Sequence, residues 1–133
     1  MNSETDENYR SRCPLASALD LLGDKWTLVI VRDMIVDKRR FGDFQSSPEG
    51  IPTNILASRL RRLEKLGIVE RRVYQEKPVR YEYFLTRKGA ELLPVIQQLV
   101  VWACRHIPGR WTPAARFLAA TPDDLLNADR PPS

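Results

Sequence analysis

Two rhythms of apolar and polar positions divide the chain. From Thr53 to Gly67, T-N-I-L-A-S-R-L-R-R-L-E-K-L-G, Leu56, Leu60 and Leu63 recur at three- and four-residue spacing, with Leu66 at their edge. That spacing predicts one apolar stripe on a helix. Thr53 is expected as its N-cap and Gly67 as the left-handed residue that closes it. A helical wheel sets Asn54, Ser58, Arg61, Arg62 and Lys65 opposite the leucines, with Ile55 and Arg59 on the flank. After Gly67 the period drops to two. I-V-E-R-R-V-Y and V-R-Y-E-Y-F-L alternate across the polar turn Gln75 to Pro78, the pattern of a β-hairpin.

Upstream, a helix starting at Cys13-Pro14 carries Leu15, Ala18, Leu19 and Leu22 on one side and stops at Gly23. Asp24 is expected to cap the next, K-W-T-L-V-I-V-R-D-M-I-V, which is apolar on nearly every side and so predicts the central core element. Phe41-Gly42-Asp43-Phe44 starts a short helix, and Ser47 to Gly50 reads as a turn before the Thr53 helix. A short helix, a tight turn and a longer basic helix predict a helix-turn-helix, and the hairpin would be its wing. Thr86 is expected to cap one long helix running to Cys104, kinked at Pro94. Its apolar residues spread beyond one stripe, which calls for a partner subunit. Short helices are expected over 114–120 and 122–128.

The expected fold is therefore mainly α with a small β-hairpin (α+β), a winged helix-turn-helix with flanking dimerisation helices. Residues 1–11 read as a flexible tail, 12–104 as the DNA-binding and dimerisation domain, and 105–133 as a partly helical extension with a loose end.

With 133 residues, 43% hydrophobic and 29% charged, the chain has enough apolar residues for one domain core. It contains no apolar run near the ~20 residues of a membrane span, and its acidic start lacks the apolar core of a secretion signal. A cytoplasmic protein is expected. The net charge of +4 is unevenly placed. Lys38 to Arg80 holds eleven basic and five acidic residues, a net +6, around the basic helix.

Candidate chemistry is sparse. Cys13 and Cys104 match no zinc spacing, His106 is the sole histidine, and no phosphate loop or nucleophile–base set stands out. No metal, cofactor or enzymatic activity is expected. A helix that buries leucine and turns Asn, Ser and Arg to water suits a DNA major groove, where paired hydrogen bonds read base edges. The expected contacts are Thr53, Asn54, Ser58, Arg59, Arg61, Arg62 and Lys65, with Arg40 before the short helix and Lys77 and Arg80 on the wing. The alternative is a winged helix serving as a protein-interaction module without nucleic acid.

The ordered pieces C-P-L-A-S-A-L-D-L-L-G-D-K-W-T-L, R-R-F-G-D-F, G-I-P-T-N-I-L-A-S-R-L-R-R-L-E-K-L-G-I-V-E and P-V-R-Y-E-Y-F-L-T-R-K-G-A-E-L-L-P-V-I cover most of Cys13 to Trp102. In them the chain resembles the HxlR family of bacterial transcription regulators, dimeric winged helix-turn-helix proteins. The resemblance implies a homodimer on a pseudo-palindromic double-stranded DNA site, with Thr53, Asn54, Ser58, Arg59 and Arg62 near bases and phosphates. It implies a dimer interface on the first helix and the helix from Thr86 to Cys104. The residues expected there are Leu15, Leu19, Leu92, Val95, Ile96, Leu99, Val100 and Trp102. It also aligns Cys13 with a cysteine that senses oxidants in several relatives, so a redox or small-molecule effector is expected. The segment after Trp102 departs from the family pattern.

Overall fold

The computed structural model describes residues 9–128. The expected tail therefore lies largely outside the described residues, as does the end after Ala128. Helices α1 (Pro14–Leu22), α2 (Thr27–Ile35), α3 (Phe41–Gln45) and α4 (Thr53–Lys65) are followed by an antiparallel hairpin, β1 (Val69–Glu76) and β2 (Val79–Leu85). Then come α5 (Arg87–Ala90), α6 (Leu93–His106), α7 (Ala115–Ala119) and α8 (Pro122–Ala128).

Helix α2 is the hub. Thr27, Ile30, Val31, Asp33, Met34 and Ile35 are all buried, as an all-round apolar helix requires. Trp26 holds its N-cap position, and Asp24, two residues earlier, accepts the N–H groups of Trp26 and Thr27 at 3.1 Å each. Around α2 pack Phe44 of α3, the stripe Leu56, Leu60 and Leu63 of α4, Val69 and Leu85 of the hairpin, and Leu93 and Ile96 of α6.

Helix α4 starts differently from expectation. Pro52 holds the N-cap position, and the Thr53 hydroxyl instead accepts from the Gln45 amide at 3.1 Å, joining α3 to α4. Gly67 does close the helix in the left-handed region, with φ of 75°. The hairpin pairs Val69 with Leu85 and Val73 with Tyr81, and its register shifts between Val73 and Gln75. This bulge falls at Tyr74.

Pro94 does not kink a long helix; it divides two. Thr86 caps the short α5 by accepting the Gly89 N–H at 3.2 Å, the chain turns at Glu91 and Leu92, and α6 begins with Pro94 in its first turn. There a missing N–H costs nothing. Gly89 lies against the hairpin root, where an added Cβ would stand 2.1 Å from the Ile68 carbonyl oxygen.

The extension folds back. The Gln97 amide donates toward the carbonyls of Phe117 and Ala120 at 3.0 and 2.8 Å, and Arg87 pairs with Asp123 at 2.7 Å. Phe117, Ala120 and Leu125 rest on the core.

Candidate nucleic-acid interface

The leucine stripe of α4 faces the core, which leaves Asn54, Arg61 and Lys65 exposed along the outer line of the helix, with Ser58 half-buried among them. Asn54, Arg61 and Lys65 make no hydrogen bond or ion pair among the described residues. Their donors therefore point to water.

Arg59 and Arg62 behave otherwise. The Arg59 guanidinium donates its Nε–H to Asp24 at 3.0 Å, and both side chains are three-quarters buried. Arg62, set opposite the leucines by the wheel, reaches sideways and donates to the Asp20 carbonyl at 3.0 Å. That carbonyl lies in the last turn of α1, where helix oxygens lack internal partners. Asp24 also accepts from Thr27 Oγ1. Burial opposes its ionisation, but the Thr27 hydroxyl, Arg59 and the Trp26 N–H outweigh it and hold the carboxyl at about 2. The Asp20 carboxylate is lowered in turn, chiefly by the Arg10 N–H at 3.0 Å and then by the Arg10 guanidinium. Arg10 is spent on Asp20.

The turn between α3 and α4 is set from below by a cluster that sequence reasoning missed. Asp33, 2% exposed, accepts from Ser47 and from Arg32 at 2.7 Å. Arg32 also grips Glu49 through two bonds, at 2.8 and 2.9 Å. Lys38 donates to Ser47 at 2.8 Å. The signal was a charged pair, Arg32-Asp33, inside an otherwise apolar run.

On the wing, Lys77 and Arg80 are exposed at the tip. Arg40 stacks on Tyr74 at 3.8 Å and pairs with Glu82 at 3.1 Å, which holds it against the middle of the hairpin. Arg71 over Tyr81 and Arg72 over Phe84 continue the stacking along the strands. Beneath lies an open cleft of about 260 Å³ lined by Arg40, Phe41, Tyr74, Arg80, Tyr81 and Tyr83.

Far from the wing, Leu15 (67% exposed) and Leu19 on α1 and Val95, Leu99 and Trp102 (57%) on α6 form exposed apolar surface. Ile96, expected at an interface, is 5% exposed in the protomer's own core, and Leu92 and Val100 pack against that core. Cys13 is exposed at the N-cap of α1. Cys104 is exposed as well, with its thiol 3.6 Å from the Trp111 carbonyl. Among the described residues, no three His, Cys, Asp or Glu side chains cluster to hold a metal ion, and no helix is long and apolar enough to cross a membrane.

A helix-turn-helix followed directly by a two-stranded hairpin defines a winged-helix protein. The model of the HxlR-like helix-turn-helix family matches residues 21–110, and the chain belongs to that family. It is 42% identical over 84 residues to the uncharacterized HTH-type transcriptional regulator sll1512 of Synechocystis, covering 63% of this chain and 62% of that one. It is 39% identical over 92 residues to the HTH-type transcriptional regulator YodB of Bacillus subtilis, covering 68% and 82%. The chain spans about three-fifths of the length of several such relatives. Among solved structures, the reduced form of YodB superposes with a TM-score of 0.61 at 36% identity, over 74% of this chain and 98% of that one. The oxidized form of the redox regulator HypR gives 0.65 at 36% identity, over 75% and 100%.

Proposed function

We propose that the protein is a transcriptional regulator that binds double-stranded DNA as a homodimer. The observation that carries this is the outer line of α4. Asn54, Arg61 and Lys65 offer unpaired donors on a helix whose opposite side is fixed in the core, and Lys77 and Arg80 flank it on the wing. Asn and Arg donate in pairs to adenine and guanine edges, while Lys suits phosphates. Thr53 and Ser58, on the first turns, sit where helix residues approach base edges first.

The exposed Leu15, Leu19, Leu99 and Trp102 supply the second half of the reading. Apolar residues of this size gathered on two helices favour a two-fold contact with another copy. Two α4 helices would then enter successive major grooves roughly 34 Å apart. The signal we infer is oxidation or electrophile attack at Cys13, an exposed thiol at the start of an interface helix. The likeness to the redox regulator HypR supports this.

Selection of bound sequences from random duplex DNA tests the whole reading. A two-fold consensus with half-sites about one helical turn apart is the expected result. Failure to enrich any sequence, with the protein folded and dimeric, would overturn it.

A further inference from the structure

Helix α1 has no buried residue of its own. Leu15 and Leu19 face away from the protomer, and only Leu22, at its last turn, packs against the core. The polar contacts at its C-terminal end therefore decide how α1 sits on the rest of the protomer. Two of them come from α4. Arg62 donates to the Asp20 carbonyl at 3.0 Å, and Arg59 pairs with Asp24, one residue past the end of α1's cap. Arg59 and Arg62 are three positions apart and share one flank of α4, so both side chains reach the C-terminal end of α1. A third contact, Arg10 on the Asp20 carboxylate, holds the same end of α1 from the N-terminal side.

We propose that Arg59 and Arg62 are positioning residues that contact no DNA. They fix the angle between α1, the dimer helix, and α4, the reading helix, and so set the distance between the two reading helices of the dimer. This rests on the DNA-binding homodimer reading above. Asp24 and Asp20 are then part of the specificity machinery although both lie off the DNA face. Base and phosphate contacts from α4 fall to Thr53, Asn54, Ser58, Arg61 and Lys65.

Two roles for the same arginine give opposite signs. If Arg59 contacts DNA, Asp24 competes with the nucleic acid for it, and Asp24→Asn should raise affinity. If Arg59 positions α4 through Asp24, Asp24→Asn should lower affinity as Arg59→Gln does, and the double variant should lose little more than either single. The salt dependence separates the roles independently. Each phosphate contact contributes about 0.9 to the slope of log K against log salt. Lys65→Gln should reduce the slope by up to about two for a dimer, and Arg59→Gln and Arg62→Gln should leave it unchanged.

The test uses the full chain and its selected duplex, together with a set of duplexes in which the half-site spacing is varied by single base pairs. Expected for Arg62→Gln, Arg59→Gln and Asp24→Asn is an unchanged salt slope, an unchanged half-site sequence and a broadened or displaced spacing optimum. A reduced slope for Arg59→Gln or Arg62→Gln, or tighter binding by Asp24→Asn, would overturn the inference while leaving the DNA-binding reading intact. An unchanged spacing optimum in all three variants would overturn it too. If the wild-type protein selects no duplex, both readings fall together. Arg62→Lys, which keeps a donor for the Asp20 carbonyl, is the rescue variant and should restore the wild-type spacing optimum.

Discussion

The carboxylate of Asp33 and the hydroxyl of Ser47 meet inside the protein, 14 positions apart in sequence, and join the central helix to the turn before α4. Asp33 also holds Arg32, and Arg32 holds Glu49 on the far side of that turn. Glu49 is lowered below the usual carboxylate range, first by that Arg32 bond. A buried charge loses much more when one partner is removed than the intact pair contributes. Asp33→Ala should therefore cost about 3 kcal/mol of stability in urea unfolding, and Ser47→Ala about 1–2 kcal/mol. Both should leave the denaturant slope unchanged. Values within a few tenths of wild type would show that the cluster does not hold the turn.

Acid should weaken the link between α2 and α4 in a definite window. Asp24 is held at about 2, below its ordinary 3.8. A carboxyl lowered by folding contributes stability that is complete above the unfolded value and is lost as pH falls through the folded one. Unfolding followed from pH 5 to pH 1.5 should show a decline concentrated between about pH 4 and pH 2. Asp20 and Glu49, both lowered, act in the same direction. In Asp24→Asn the decline should be shallower. A slope identical to wild type would exclude Asp24 as a contributor.

How much of this was legible in the sequence depends on what each residue type could reveal. The leucine stripe of α4, the alternation of the hairpin and the turn at Gly67 were readable because period and backbone freedom are local properties. Arg62 was not. A wheel places its Cα, but a long flexible guanidinium can reach round the helix to an unpartnered carbonyl of α1. Thr53 looked like a cap because its residue type suits that position; the preceding Pro52 took the place, and the hydroxyl went to Gln45. Pro94 was read as a kink because nothing local marks the break at Glu91 and Leu92. Ile96 and Leu99 are equally apolar, and only packing shows that one belongs to the core and the other to the surface.

That distinction selects the variants that test the dimer. Leu15→Glu and Leu99→Glu place a charge on exposed surface in the isolated protomer, so the fold should persist while the two-fold contact is lost. Val100 packs against the core and is unsuitable, since a charge there would unfold the protomer. Light scattering should report monomers for both variants, with the helical circular dichroism retained. A soluble dimer in both cases would move the interface elsewhere.

The wing makes a separate prediction. Lys77 and Arg80 are exposed at the hairpin tip. Contacts to phosphate or sugar position a protein without reading sequence. Lys77→Ala and Arg80→Ala should weaken binding to all duplexes alike and lower the salt slope, while the selected consensus stays the same. Arg61→Ala should differ, costing about 1–3 kcal/mol on the preferred site and relaxing the choice of base at one position. If the wing variants change the consensus as well, the tip reads sequence directly.

The remaining prediction concerns the two thiols. Cys13 stands exposed at the N-cap of α1, with its N–H donating to Ser11 and its carbonyl accepting from Ser17. An added oxygen or adduct on its sulfur would alter the first turn of a helix whose leucines are proposed to meet the partner copy. Cys104 cannot serve as an inert control, because it is exposed too and lies beside the Trp111 carbonyl. Both must be varied. A mild peroxide or quinone dose should reduce DNA affinity in the wild type and in Cys104→Ser, and Cys13→Ser should keep its affinity. Thiol labelling before and after treatment, read by mass spectrometry, shows which sulfur has reacted. If Cys104 is modified and Cys13→Ser still loses binding, the sensing residue is Cys104. If neither serine variant differs from wild type, oxidation acts elsewhere and Cys13 serves only the start of the helix.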